Sequence, residues 1–345
     1  MLRDLVSLIQ KIYKTDEFVP LHEAYVPQPA ISNVNVCMGS KKLSLGRWVG
    51  AFEQKICEIT GAKYCIATSS GTTALTLALK ILGIEPDDRV VTQSFTYVAT
   101  ANAIAHLNAH PSFVDIDRDT MGMGADSLES LGLTENVKAI LPVNILGVNS
   151  NMRGISHIAR ENKIPVLVDA CQSIMTSGFF SGDTTCLSFN GNKPVTTGGG
   201  GAILTNDADF EMEARLYLNQ IGPVNRIWYN YRMGNINAAF GCGVLENFDH
   251  ITTMKYETSE MYREFAQKHS LTMPTPTVPW LNAFLVENPK EVEAYLRSNY
   301  IEARTGFPMV HEMEPFSDIT NERTSMEDTK YIHDHLIMLP SGVMS

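Results

Sequence analysis

The chain has 345 residues, 44% of them hydrophobic and 19% charged, with a formal net charge of −11. That length allows about two domains and a sizeable core, and the acidic balance argues against nucleic acid and anionic membrane as partners. No run of about 18 apolar residues is present, so no transmembrane helix is expected.

The first residues, Met1–Phe18, mix charge with apolar side chains at helical spacing. They lack the apolar block and cleavage site of a signal peptide, so a cytoplasmic protein is expected. Apolar, β-branched runs then recur with helical stretches between them. The expected strands are Tyr64–Thr68, Arg89–Gln93, Ser112–Ile116, Lys138–Asn144, Pro165–Ala170, Thr185–Phe189 and Gly201–Thr205. Helices are expected over Trp48–Thr60, Thr72–Leu82, Tyr97–Leu107, Met152–Glu161 and residues 208–219. Near-continuous apolar strands such as Pro165–Ala170 suit a sheet covered on both faces. Strand–helix alternation implies a mostly parallel seven-stranded α/β sheet with right-handed crossovers.

After about residue 245 the pattern changes. Met254–Lys268 is a charged helical stretch, Leu271–Pro279 is proline-rich, Trp280–Val286 reads as a strand and residues 288–300 as a helix. The expected division is an N-terminal helix and arm over 1–34, a large α/β domain over 35–245, and a smaller α+β domain over 246–345. The six cysteines, Cys37, Cys57, Cys65, Cys171, Cys186 and Cys242, form no CxxC pair. They read as small hydrophobes rather than a disulfide framework or a metal site.

The chemistry centres on Lys193, which lies in a polar turn five residues after Ser188 and just before four glycines, 198–201. A lysine amine presented this way can form a Schiff base with an aldehyde cofactor. Asp169 ends the apolar run Val166–Val168 at the carboxyl edge of a strand, where open α/β sheets bind ligands. A carboxylate there can hold a proton on a pyridine nitrogen and so make the ring an electron sink. Gln172, three residues on, can hydrogen-bond a phenolic oxygen of such a ring. Ser69–Leu75 joins a strand to a helix, so its backbone N–H groups lie at a helix N-terminus and can bind a phosphate, with the hydroxyls of Thr72 and Thr73 adding contacts. Tyr97, just after a strand, can stack on a ring, whereas Phe95 reads as core. The hydroxyl of Ser188 is placed to meet the phosphate while Lys193 reaches the aldehyde. Taken singly, each has an ordinary alternative: a serine/threonine N-cap, a strand-end capping aspartate, a core aromatic, a flexible turn. Together, in this order, they read as a pyridoxal-phosphate (PLP) enzyme.

These residues resemble the DegT/DnrJ/EryC1/StrS family of PLP-dependent nucleotide-sugar aminotransferases. The matching stretches are Ser70–Leu75, Thr96–Thr100, Asp169–Gln172, Ser188–Gly201 and Asn230–Ala239, within a similarity from about Phe18 to nearly the C-terminus. The resemblance implies fold type I, a homodimer with shared active sites, and L-glutamate and a nucleotide-linked keto-sugar as substrates. It implies Lys193 as the Schiff-base lysine, Asp169 on the ring nitrogen, and Tyr97 stacked on the ring. It also implies Gly71, Thr72 and Ser188 on the phosphate, with Asn230 reaching that phosphate from the partner subunit. The Phe18–Glu23 entry and the lysine loop look most like the LegC-type branch, which aminates UDP-linked 4-keto-6-deoxy sugars. Perosamine synthases are close in the lysine region but usually carry Glu where Gly199 stands. Lys41, Lys42, Arg47, Arg226 and Arg304 are candidates for the substrate diphosphate; Arg304 is the best of them, and His311 reads as a core or solvated histidine.

Three departures from the family stand out. Asn144 occupies a position where many relatives carry His, Val26–Lys42 is short and is expected to lack the usual helix, and the chain stops soon after Leu339–Gly342. Competing readings are a PLP sugar dehydratase, which the presence of Lys193 opposes, and a non-catalytic regulator on the same fold. A dinucleotide-binding dehydrogenase lacks its GxGxxG.

Overall fold

The computed structural model describes residues 1–173, 182–222, 227–274, 279–317 and 324–343. Helices α1 (Leu2–Tyr13), α2 (Gln28–Gly39) and α3 (Arg47–Thr60) precede the first strand, β1 (Tyr64–Thr68). There follow α4 (Gly71–Ile81), β2 (Arg89–Gln93), α5 (Ala99–Ala105), β3 (His110–Val114), α6 (Ala125–Leu131), β4 (Val137–Leu141), α7 (Met152–Asn162) and β5 (Leu167–Asp169). Next come β6 (Thr184–Ser188), β7 (Gly201–Thr205), α8 (Ala208–Asn219), α9 (Asn235–Leu245) and α10 (Phe248–Lys268). The C-terminal elements are β8 (Asn282–Leu285), α11 (Pro289–Ser298), β9 (Arg304–Thr305), a short 3-10 turn over Val310–Glu312, α12 (Glu327–His335) and β10 (Leu336–Leu339).

Hydrogen bonds order the first seven strands as β1-β7-β6-β5 and β4-β2-β3. Parallel bridges Ile140↔Val166 and Val143↔Asp169 join the two blocks into one sheet. Only β7 runs against its neighbours; β5–β6, β2–β3 and β2–β4 pair in parallel. The mostly parallel seven-stranded sheet expected from the alternation is therefore present. Its strands are buried on both faces, and the two-residue period of a strand divides them between two apolar layers. Val168 and Leu204 join Phe52 and Ile56 of α3 on one side, while Leu167 and Ile203 join Leu75 and Leu79 of α4 on the other.

One expectation is corrected. Val26–Lys42 contains a helix, α2, with Pro29 in its first turn. It buries only Ala30 and Cys37, so it carries no amphipathic stripe for a sequence reading to find. It lies against α9 at Gly243, where a Cβ would come within 2.3 Å of the Ala30 nitrogen.

A third apolar cluster unites Leu5, Val6, Ile9 and Ile12 of α1 with Tyr262 and Phe265 of α10, Phe284 of β8, Leu296 of α11 and Ile337 of β10. The N-terminal helix thus shares a core with the C-terminal elements and their antiparallel sheet, ordered β8-β10-β9. All six cysteines are free, and four of them, Cys37, Cys65, Cys186 and Cys242, are buried. Among the described residues no helix is long and apolar enough to cross a membrane, and no cluster of His, Cys, Asp or Glu is arranged for a metal ion.

Candidate active site

The turn after β1 is built by a reciprocal cap. Ser70 Oγ accepts the Thr73 N–H at 3.1 Å, and Thr73 Oγ1 accepts the Ser70 N–H at 3.0 Å. This capping box occupies two of the free donors at the start of α4. Helix geometry leaves the N–H groups of Gly71 and Thr72 without intrahelical partners. Gly71 is needed there because a Cβ would lie 2.7 Å from Cys171 Sγ and 3.0 Å from Ser188 Cβ. Its bare backbone lets the α4 N-terminus sit directly beside the end of β6. The result is a concave set of backbone donors and hydroxyls, with the positive end of a helix dipole behind it, and it fits a phosphate.

Asp169 ends β5 and is 4% exposed. Its Oδ2 accepts from Thr100 Oγ1 at 2.8 Å and its Oδ1 from the Cys171 N–H at 3.0 Å, so its orientation is fixed from two sides. Thr100 is itself held by Thr96 Oγ1 at 2.9 Å. Lys193 follows β6 in a turn closed by its own N–H to Asn190 O at 2.9 Å. Burial pushes its amine from the usual 10.5 down to about 8, against the opposing pull of Cys171 and Asp169. The amine lies 3.5 Å from the ring centroid of Trp280.

A cavity of about 900 Å³ opens above these strand ends. Gly71, Thr72, Tyr97, Asp169, Gln172, Ser188 and Lys193 all line it. Tyr97 is 60% exposed at the mouth while Phe95 is fully buried, the division expected for the two aromatics. Gln172 is buried and its Oε1 accepts the Leu146 N–H at 3.2 Å. Asn230 is exposed and is not among the cavity's lining residues.

Of the candidate cations, Arg304 lines the cavity, paired with Glu302 Oε1 at 2.8 Å. Lys41, Lys42 and Arg47 do not line it, and Arg226 lies outside the described residues. His311 is buried with its Nδ1 2.6 Å from Ser94 Oγ, the core histidine of the two readings. The Asn144 side chain does not reach the cavity; its Oδ1 accepts the Ser150 N–H at 3.0 Å. Sequence reasoning missed Trp280, Thr100, Cys171, His22 and Arg297, all of which line the cavity. Thr100, Cys171 and His22 lie in stretches the sequence had singled out, Thr96–Thr100, Asp169–Gln172 and Phe18–Glu23, whereas nothing local tied Trp280 or Arg297 to the site.

A buried lysine facing a strand-end carboxylate, with a phosphate cradle on a mostly parallel seven-stranded sheet, is the arrangement of a fold-type I PLP transferase. The chain belongs to the DegT/DnrJ/EryC1/StrS aminotransferase family, whose model matches residues 27–344. It is 31% identical to GDP-perosamine synthase of Escherichia coli O157:H7 over 345 residues, covering 94% of each chain. It is 34% identical to GDP-perosamine synthase of Caulobacter vibrioides over 311 residues, covering 83% of each. The crystal structure of NtdA from Bacillus subtilis, with its bound cofactor pyridoxamine phosphate, superposes with a TM-score of 0.82. That match has 25% identity and covers 91% of this chain and 78% of that one. The chain is accordingly a PLP-dependent sugar aminotransferase. Neither perosamine synthase supports the LegC-type branch.

Proposed function

We propose that the chain transfers an amino group from L-glutamate to the keto carbon of a nucleotide-linked 4-keto-6-deoxy sugar. The observation that carries this reading is one cavity holding the Lys193 amine, the Asp169 carboxylate and the α4 N-terminus. When bound there, PLP supplies an aldehyde and an electron-accepting ring. Lys193 anchors the aldehyde and, once released, takes the donor's Cα proton as general base and hands it back as general acid. A lowered amine pKa suits this role, because a larger fraction is free base near neutral pH. Asp169 holds the proton on the ring nitrogen, and Gln172 bonds the phenolic oxygen. Gly71, Thr72 and Ser188 hold the phosphate and Tyr97 covers the ring. The partner subunit's Asn230 completes the phosphate site in a homodimer, a role consistent with its exposure away from its own cavity. The smaller C-terminal unit, from about residue 246, brings Arg304 to the mouth for the substrate's diphosphate.

The resemblance in the lysine loop favours a UDP-linked sugar. A GDP-linked sugar is the second reading, favoured by identity to the perosamine synthases over most of the chain. A cytoplasmic location goes with this reading, since nucleotide sugars and glutamate are at hand there. The test is the visible absorbance of PLP-loaded protein before and after L-glutamate, followed by UDP- and GDP-linked keto-sugars with mass analysis of the product. The reading expects the visible band to give way to that of pyridoxamine phosphate, and one sugar nucleotide to gain an amine. A band indifferent to glutamate, with neither sugar aminated, contradicts it.

A further inference from the structure

We propose that Trp280 is a positioning residue for the catalytic lysine, its indole face seating the Lys193 amine whenever that amine is free. This rests on the reading of Lys193 as the cofactor lysine. Trp280 is 6% exposed and every one of its polar groups is committed. Its backbone N–H donates to Leu146 O at 3.2 Å, and its indole Nε1 donates to Asn192 O at 3.0 Å, next to Lys193 itself. Its carbonyl accepts from Lys255 Nζ at 2.8 Å. Lys255 is buried in α10 and its described hydrogen bonds go to two carbonyls, those of Trp280 and Ser341. A buried lysine amine spent on a main-chain carbonyl is costly, and what it secures here is the backbone that carries the indole. Three anchors from three parts of the chain therefore hold one ring over one amine, with 3.5 Å between Nζ and the ring centroid.

That distance is well inside the range in which an aromatic face attracts a cation. The other charged or titratable groups acting on the amine are Asp169 and Cys171. As Lys193 alternates between base and acid it must pass through its ammonium form beside the substrate. The indole face stabilises that form, and its bulk keeps water off the amine. Trp280 thus acts through Lys193, by holding it at the cavity rather than in solvent.

The test is the protonation equilibrium of Lys193 in cofactor-free protein. Competitive acetylation with acetic anhydride across the alkaline range, read by mass spectrometry of the Lys193 peptide, reports it directly. Wild type is compared with Trp280→Phe and Trp280→Leu. Leucine keeps an apolar cover over the amine but has no aromatic face, so desolvation persists while the cation's attraction is lost. The expected order of Lys193 pKa is wild type, then Phe, then Leu, with Leu lower by about one unit, a tenfold shift. Should the Leu variant fail to fold by circular dichroism, the Phe variant decides, with a value below wild type supporting the proposal. Equal values, or a rise in either variant, overturn it. Failure of the underlying reading looks different: wild-type protein that takes up PLP at a lysine other than Lys193, or not at all.

Discussion

At the scale of single residues, two lysines stand out because burial lowers both amines, and for opposite ends. Lys193 is brought to about 8 beside the cavity, where a free amine is useful. Lys255 is brought to about 7 in the interior, where it pins Trp280 and Ser341. The pH consequence for Lys255 follows from linkage. Between about 7 and 10.5 the unfolded chain binds the Lys255 proton and the folded chain does not, so this group makes stability rise with pH across that window. Replacing Lys255 with Met is expected to remove that rise. Denaturant midpoints at pH 7 and pH 9 check it: wild type gains on Lys255→Met between the two, and parallel changes contradict the assignment. The turns that carry Lys193, Asp169 and Ser69–Leu75 were legible in the sequence because each is local, a strand end followed by a turn. Trp280 was not, because it meets Asn192 across 88 residues, and no spacing rule connects them.

At the scale of elements, the seven strands and five of the helices of the large sheet were readable from period and burial, with ends shifted by a few residues. β3, for example, starts at His110 rather than Ser112, since pairing with β2 extends past the apolar run. Two of the helices that escaped, α2 and α9, lack a polar–apolar stripe. α9 buries Ala238, Ala239, Gly241, Cys242, Gly243, Val244 and Leu245, on every side of its axis, so a 3.6-residue period has nothing to register. Its contact with α2 depends on Gly243, where a side chain would strike the backbone at Pro29 and Ala30. Gly243→Val is expected to cost about 1–3 kcal/mol by overpacking, although it touches neither the cavity nor Lys193. Thermal denaturation measures it; an unchanged midpoint would show that the two helices part freely.

At the scale of the whole molecule, the fold was legible because strand–helix alternation leaves few topologies for a mostly parallel sheet. The share of the core taken by α1 was not, since its amphipathic stripe does not say which partner it covers. Assembly is likewise not written in periodicity. The chain leaves Val36, Met38, Leu43, Leu45 and Ile227 exposed, and Tyr97 open at the cavity mouth. Apolar surface of this kind suits a contact between subunits. In the homodimer proposed above, sedimentation gives twice the chain's mass. Mixing Lys193→Ala with Asn230→Ala protein then gives more activity than the two alone, because exchanged subunits form one intact site. A monomer, or strictly additive activities, would remove the partner subunit's Asn230 from the site.

The central claim is that Lys193 is the lysine that carries the cofactor, and it is tested most directly by trapping. Protein loaded with PLP is reduced with borohydride, digested, and its modified peptide sequenced by mass spectrometry. The account predicts a pyridoxyl group on Lys193 and none on Lys255, although both amines are lowered. A label on Lys255 or another lysine, or no label at all, would contradict it.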